Sequence, residues 1–148
     1  MLIDSHQRKL SPTQIIEQAA QNIPNNKYSA DQMLASVITE TRMPNCFAIQ
    51  EGNTLFIVHA GDKRVAMFRA LNADTGKNYL ENSLIFTKAM YMAGFDSMVS
   101  QFDDPAIIKV FQYVARHPFQ RDMGMEVRRQ EDGGYLGIVQ LGPQRGEK

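Results

Sequence analysis

"ADTGKNYLENSLIFTKAMYMAGFD", residues Ala73–Asp96, is the stretch whose reading decides the fold. Leu80, Leu84, Met90 and Ala93, with Ile85 and Phe86 beside them, recur as the apolar positions of a long helix. Gly94 is placed to end it as a left-handed residue, and Phe95 to pack back on the last turn. The start of the helix has two readings. Asp74 or Thr75 caps it while Gly76 relieves a tight turn, or the first amides at Gly76, Lys77 and Asn78 cradle a phosphate. A nucleotide-binding Walker loop is excluded, because it requires a glycine where Leu71 stands and Ser or Thr where Asn78 stands.

Upstream, "CFAIQ", "TLFIVHA" and "RVAMFRAL" are short runs rich in β-branched and aromatic residues. Glu51-Gly52-Asn53 and Gly61-Asp62-Lys63 separate them with hairpin-loop chemistry, so a three-stranded antiparallel meander is predicted. Before the meander lie two helices. Ser11-Pro12 starts one, with Ile15, Ile16, Ala19, Ala20 and Ile23 at helical spacing up to Pro24; Ser29 caps the other, with a stripe of Met33, Leu34, Val37 and Ile38. The first residues, including Leu2 and Ile3, are a short apolar start.

Downstream, "DSMVSQF" reads as a buried strand. Asp103-Asp104-Pro105 then begins a helix whose Ile107, Val110, Phe111 and Val114 share one face, ending by His117-Pro118. "MGMEVRR" and "YLGIVQLG" form a last hairpin around Gly133-Gly134. The expectation is one domain over residues 1–148, of α+β class with a central mixed sheet, in which 143–148 fray.

Bulk chemistry narrows the function. Sixteen basic and sixteen acidic side chains give a formal net charge of zero, so no global field draws the chain to nucleic acid. No apolar run is long enough for a membrane span, and with Cys46 as the only cysteine no internal disulfide forms. A cytoplasmic setting is the simplest reading. His6, His59 and His117 lack metal-site spacing, so no metal is expected. Cys46 has no evident histidine partner and reads as a buried bystander. Arg64, Arg69, Arg128 and Arg129 read as solvated or edge-protecting strand residues. Met90, Met92, Met98, Met123 and Met125 read as gap-filling core.

The order helix, helix, meander, helix, strand, helix, hairpin resembles the GNAT (N-acetyltransferase) superfamily. The likeness rests on "RVAMFRAL" as central strand, "GKNYLENSLIFTKAMYMAGFD" as the following helix, "DSMVSQF" as the next strand and "DDPAIIKVFQYV" as the last long helix. It implies two parallel central strands that splay apart, with acetyl-CoA between them and its pyrophosphate on the amides of Gly76, Lys77 and Asn78. The family's Gln/Arg-x-x-Gly-x-Gly/Ala loop is degenerate here, with Ala73 and Asn78 at its outer positions. The family's acid tyrosine falls on Phe111, expected to be core, and the nearest hydroxyl is Tyr113. Glu51 and Asp74, at loops flanking the expected cleft, are the candidate bases.

Two functions follow. In one, the chain is a non-catalytic assembly or interaction protein with a protein partner, similar to the acetyltransferase-like proteins that short-tailed phages use in virion assembly, and located in the virion if phage-encoded. In the other it is an active acetyl-CoA-dependent N-acetyltransferase acting on a small-molecule or protein amine. The sequence leaves the oligomeric state open.

Overall fold

Two reciprocal capping boxes start the chain's first helices. Ser11 Oγ accepts from the Gln14 amide (3.2 Å) while Gln14 Oε1 accepts from the Ser11 amide (2.9 Å), and Ser29 and Gln32 repeat the exchange at 3.1 and 2.8 Å. They open α1 (Pro12–Asn22) and α2 (Ala30–Thr41). The computed structural model describes residues 9–22, 29–61, 64–116 and 124–141. The expected apolar start at Leu2 and Ile3, together with Ile23, Met123, His6, His117 and the expected fraying tail, lies outside them.

The meander is present as β1 (Cys46–Glu51), β2 (Thr54–His59) and β3 (Val65–Asn72), with Gly52 at φ 56° in the first turn. α3 (Gly76–Met92), β4 (Ser97–Phe102), α4 (Ile107–Arg116), β5 (Gly124–Arg129) and β6 (Tyr135–Gln140) follow. The strands form one mixed six-stranded sheet in the order β1-β2-β3-β4-β6-β5, in which β3 and β4 are the parallel pair.

Helices cover both faces. Phe56, Ala66, Met98 and Val139 of the sheet pack under Phe86 and Met90 of α3 and Phe111 and Val114 of α4. Leu55, Ile57 and Leu71 pack under Ile15, Ile16 and Ala19 of α1 and Met33 and Val37 of α2. Phe56 and Phe86 stack with centroids 4.0 Å apart, and burying each such side chain is worth about 1.5–3 kcal/mol. α3 ends as anticipated: Gly94 has φ 100°, its amide bonds Tyr91 O (3.0 Å), and Phe95 N bonds Met90 O (3.2 Å).

Several local expectations are corrected. The buried face of α3 is Asn82, Ser83, Phe86, Thr87 and Met90, while Leu80 and Leu84 are half-buried. Three of those residues are polar, and hydrogen bonds make their burial tolerable: Asn82 reaches β2, and Thr87 Oγ1 donates to Ser83 O at 2.8 Å. α4 starts at Ile107 rather than at Pro105, because Asp104 Oδ1 accepts from the Ala106 amide (2.9 Å) in a preceding turn. Ile38 is exposed, outside the stripe that buries Met33 and Val37. Among the methionines, Met90 and Met98 are core, Met125 packs against it, and Met92 is 78% exposed at the end of α3.

Candidate functional site

The sheet is open in its middle. β3 and β4 pair only through Val65↔Ser97, Ala66↔Met98 and Met67↔Val99. Beyond that point β3 runs on to Asn72 against β2, and β4 runs on to Phe102 against β6, so each strand is held from its outer edge while the inner edges part. The result is a cleft of about 940 Å³, in the range of small-molecule sites. Residues of both sheet faces line it: Phe68, Ala70, Phe86 and Phe111 on the α3/α4 side, Ala19, Arg69 and Leu71 on the other.

The mouth of the cleft is the amino terminus of α3, where Gly76 is exposed and lines the wall. Thr75 is the N-cap residue, but its side chain makes no capping hydrogen bond. The first helical bond runs from Tyr79 N to Thr75 O (2.8 Å), which leaves the amides of Gly76, Lys77 and Asn78 without a side-chain cap among the described residues. Gly76 does not adopt a positive φ, and a Cβ there would meet nothing within 4 Å. The tight-turn explanation of Gly76 therefore fails, and the space before these amides is clear.

Asp74 does not cap α3 either. Its carboxylate accepts from the Asn53 amide (2.8 Å) and from Asn82 Nδ2 (2.6 Å), and Asn82 Nδ2 also reaches Thr54 Oγ1 (3.0 Å). Asn72 Oδ1 accepts from Thr54 Oγ1 (2.8 Å) and from the Asp74 amide (3.0 Å). This buried network fixes the connection from β3 to α3, and it turns the nearest carboxylate away from the helix amides. Sequence reasoning missed Asn82, since an asparagine within a helical stripe reads as a polar interruption.

The sequence-derived catalytic candidates fall apart from one another. Glu51 ends β1 opposite Thr54 and does not line the cleft. Tyr113 is half-buried, and its hydroxyl donates to Glu81 Oε2 (2.7 Å), a bond that raises its pKa. Phe111 is core, as expected: the tip of its ring lies against Gly137, where an added Cβ would come within 2.6 Å of Cζ. The tyrosine that does line the cleft is Tyr79, a residue not singled out from the sequence. Burial, with the charge of Asp104 adding, pushes its phenol up to about 12, so it stays a hydrogen-bond donor at neutral pH.

A second cluster gives Cys46 a histidine neighbour that the sequence did not show, while Cys46 is buried as expected. β1–β2 pairing places Cys46 opposite His59, with Sγ 3.7 Å from Nε2. His59 Nε2 also lies 3.1 Å from Glu40 Oε1, and Glu40 Oε2 accepts from Arg69 Nη2 (2.6 Å) and Ser36 Oγ (2.9 Å). Cross-strand register could have found this pair; spacing along the chain could not. Burial raises the Cys46 thiol and the Glu40 charge adds to it, so Cys46 is not an activated nucleophile. Burial also raises the Glu40 carboxyl, but hydrogen bonds from His59 and Ser36 and the charge of Arg69 outweigh it and leave the carboxyl below its ordinary value. Arg69 is thus an ion-pair partner rather than a solvated strand residue, and its buried Nε has no partner among the described residues. Among the described residues, no group of three His, Cys, Asp or Glu side chains could hold a metal ion, and no helix is long and apolar enough to cross a membrane.

No family model matches the sequence, and no curated protein matches it. Solved structures do. A chimera of the Vibrio cholerae spermidine N-acetyltransferase SpeG and hSSAT is similar at TM-score 0.56 and 12% identity, over 90% of this chain and 94% of that one. A point mutant of the same V. cholerae enzyme aligns at TM-score 0.53 and 13% identity over 90% and 94%. An Acinetobacter baylyi chain, provisionally assigned as an acetyltransferase, aligns at 0.54 and 14% over 98% and 94%. At such identities the likeness is one of fold: the chain has a GNAT-like architecture.

Proposed function

We propose that the chain is an acyl-CoA-dependent N-acyltransferase, with acetyl-CoA as the donor. The observation that carries this reading is the parting of β3 and β4 after Met67 and Val99, into a cleft that leads to the uncapped amides of Gly76, Lys77 and Asn78. A pyrophosphate fits there because unpaired amides and the helix dipole favour an anion, and because Gly76 leaves the approach clear. The apolar wall of Phe68, Phe86 and Phe111 suits the pantetheine arm. In the transfer, the amine nitrogen attacks the thioester carbonyl carbon, the C–S bond breaks, and the thiolate takes up a proton. Among the hydroxyl residues that line the cleft, Tyr79 carries a phenol that can donate a hydrogen bond to developing negative charge.

Thermal-shift titration with acetyl-CoA and CoA tests the reading. A ligand at about a hundred times its Kd adds roughly 2.7 kcal/mol to stability. Gly76→Asp should abolish the shift while keeping the fold, since a side chain there meets open space and an acid at a helix start suits the dipole. No shift at millimolar acetyl-CoA sinks the proposal. Spermidine is the first acceptor to try, because relatives in fold are named for acetylating it.

A second reading rests on Phe111 and on α2. Phe111 puts a hydrocarbon ring where an acid hydroxyl is implied, and Ile38 and Met43 are 42% and 47% exposed on α2 and the turn after it. These features suit a non-catalytic assembly protein, virion-associated or otherwise, whose partner docks on α2. Co-migration with a partner that Ile38→Asp disrupts, without any acetyl-CoA binding, would favour it.

A further inference from the structure

The cluster on the α1/α2 face of the sheet joins Cys46, His59, Glu40, Ser36 and Arg69 through side-chain contacts. It sits beside the point where the sheet opens. His59 is the register partner of Met67, the last β3 residue paired with β4. Side chains alternate along a strand, so Met67 and Arg69 share the face of His59, and Arg69 lines the cleft itself. His59 itself does not line the cleft: it stands one strand back from the gap, on the sheet face that Arg69 shares with it.

The hydrogen bonds fix the state of the imidazole. Glu40 is ionised at neutral pH, because its carboxyl lies below its ordinary value, and an ionised carboxylate only accepts. His59 Nε2, 3.1 Å from Glu40 Oε1, must then carry a proton. Nδ1 is left with its lone pair; it makes no hydrogen bond among the described residues, on a side chain 41% exposed. A carboxylate that orients a histidine and leaves its other nitrogen open is a proton-accepting arrangement. The remaining neighbours do not disturb it: Cys46 from β1 stays a thiol, and Arg69 from β3 is occupied with Glu40.

We propose that His59 Nδ1 is the base that takes the proton from the acceptor ammonium, with Glu40 as the positioning residue that holds its tautomer and Arg69 and Ser36 holding Glu40. The assignment rests on the acyl-transfer reading above. The acceptor ammonium gives one proton to Nδ1, the freed amine forms the C–N bond as the thioester C–S bond breaks, the nitrogen gives up a second proton that the departing thiolate takes, and His59 returns its proton to solvent.

The test follows acetyl-CoA binding and CoA release against pH, with spermidine and with water alone as acceptors, in wild type, His59→Gln and Glu40→Gln. Donor binding should be equal in all three. CoA release should rise with pH in wild type, fall about a hundredfold or more in His59→Gln with loss of that limb, and fall less in Glu40→Gln, which keeps the limb. Nitrogen chemical shifts of neutral His59 should report protonation at Nε2. No binding by wild type overturns the acyl-transfer reading and the base with it. Binding without CoA release at any pH also overturns acyl transfer and the base together, whereas an unchanged pH profile in an active His59→Gln, or a proton on Nδ1 in the neutral ring, overturns the base alone.

Discussion

Gly137→Ala tests the packing that closes the cleft. Gly137 lies in β6 between β4 and β5, and the ring tip of Phe111 rests against it. A Cβ would stand 2.6 Å from Cζ and 2.8 and 2.9 Å from the two Cε atoms, all inside carbon contact distance. Three near-equal distances mean that the methyl lands over the face of the ring tip, so rotation of the ring about its axis offers no escape. Retreat is hindered too, because Phe102 stacks at 5.4 Å and Phe68 lies at 6.5 Å. Overpacking of this kind costs about 1–3 kcal/mol. For a chain of this size each kcal/mol lowers Tm by about 2–4 °C. Urea and thermal unfolding of Gly137→Ala, Phe111→Leu and the double variant measure it, and the double variant should recover at least about 1 kcal/mol of the predicted loss as coupling. A Gly137→Ala protein within about 0.5 kcal/mol of wild type would show that α4 slides freely over the sheet, and the rigid wall assigned to the cleft would be wrong.

Other perturbations reach other parts of the molecule. Asn82→Leu strips Thr54 and Asp74 of a buried donor and should cost about 1–3 kcal/mol in urea unfolding, with faster amide exchange at Ala73 and Asp74; a neutral variant would mean that the network is not needed. Gly94→Ala forces a side chain to φ 100° and should cost about 1 kcal/mol, read as a lower midpoint with unchanged m. Glu40 has a folded pKa below its unfolded one, so its contribution to stability is present above the ordinary carboxylate pKa and is lost as pH falls through the folded value. Glu40→Gln should flatten that acid limb in a plot of unfolding free energy against pH, and an unaltered limb would refute the assignment.

What could be read from the sequence was what local chemistry dictates. Ser11, Ser29, Gly52, Gly94 and Gly133 act within a few residues of themselves, and the capping boxes, turns and C-cap they imply are all present. The mixed sheet followed from the order of such elements. Failures came where a residue's partner is distant along the chain. Asp74 looked like a cap, but its carboxylate is claimed by Asn53 and by Asn82. Cys46 looked solitary because its partner, His59, is a register neighbour, 13 residues away in sequence. Leu80 and Leu84 looked like the core stripe of α3, because periodicity cannot foresee that Asn82, Ser83 and Thr87 would be hydrogen-bonded inside. The splayed gap has no residue signature of its own, since it consists of a ladder that stops.

The cleft's two walls differ in kind, and one strand explains why. β3 is bordered by the gap on one edge, and its alternation sends Phe68 and Ala70 toward α3 and α4 while Arg69 reaches back to α2. A ligand between β3 and β4 thus meets aromatic carbon on one side and, on the other, the Arg69 guanidinium that is ion-paired to Glu40. In the proposed reaction an anionic donor would be served by the helix amides at the α3 end of the gap, and a cationic amine by the carboxylate and imidazole on the α1/α2 face. Such a division requires no excess of either charge in the chain as a whole, which is why a net charge of zero, informative against nucleic acid, says nothing against a site that handles a phosphate and an ammonium together.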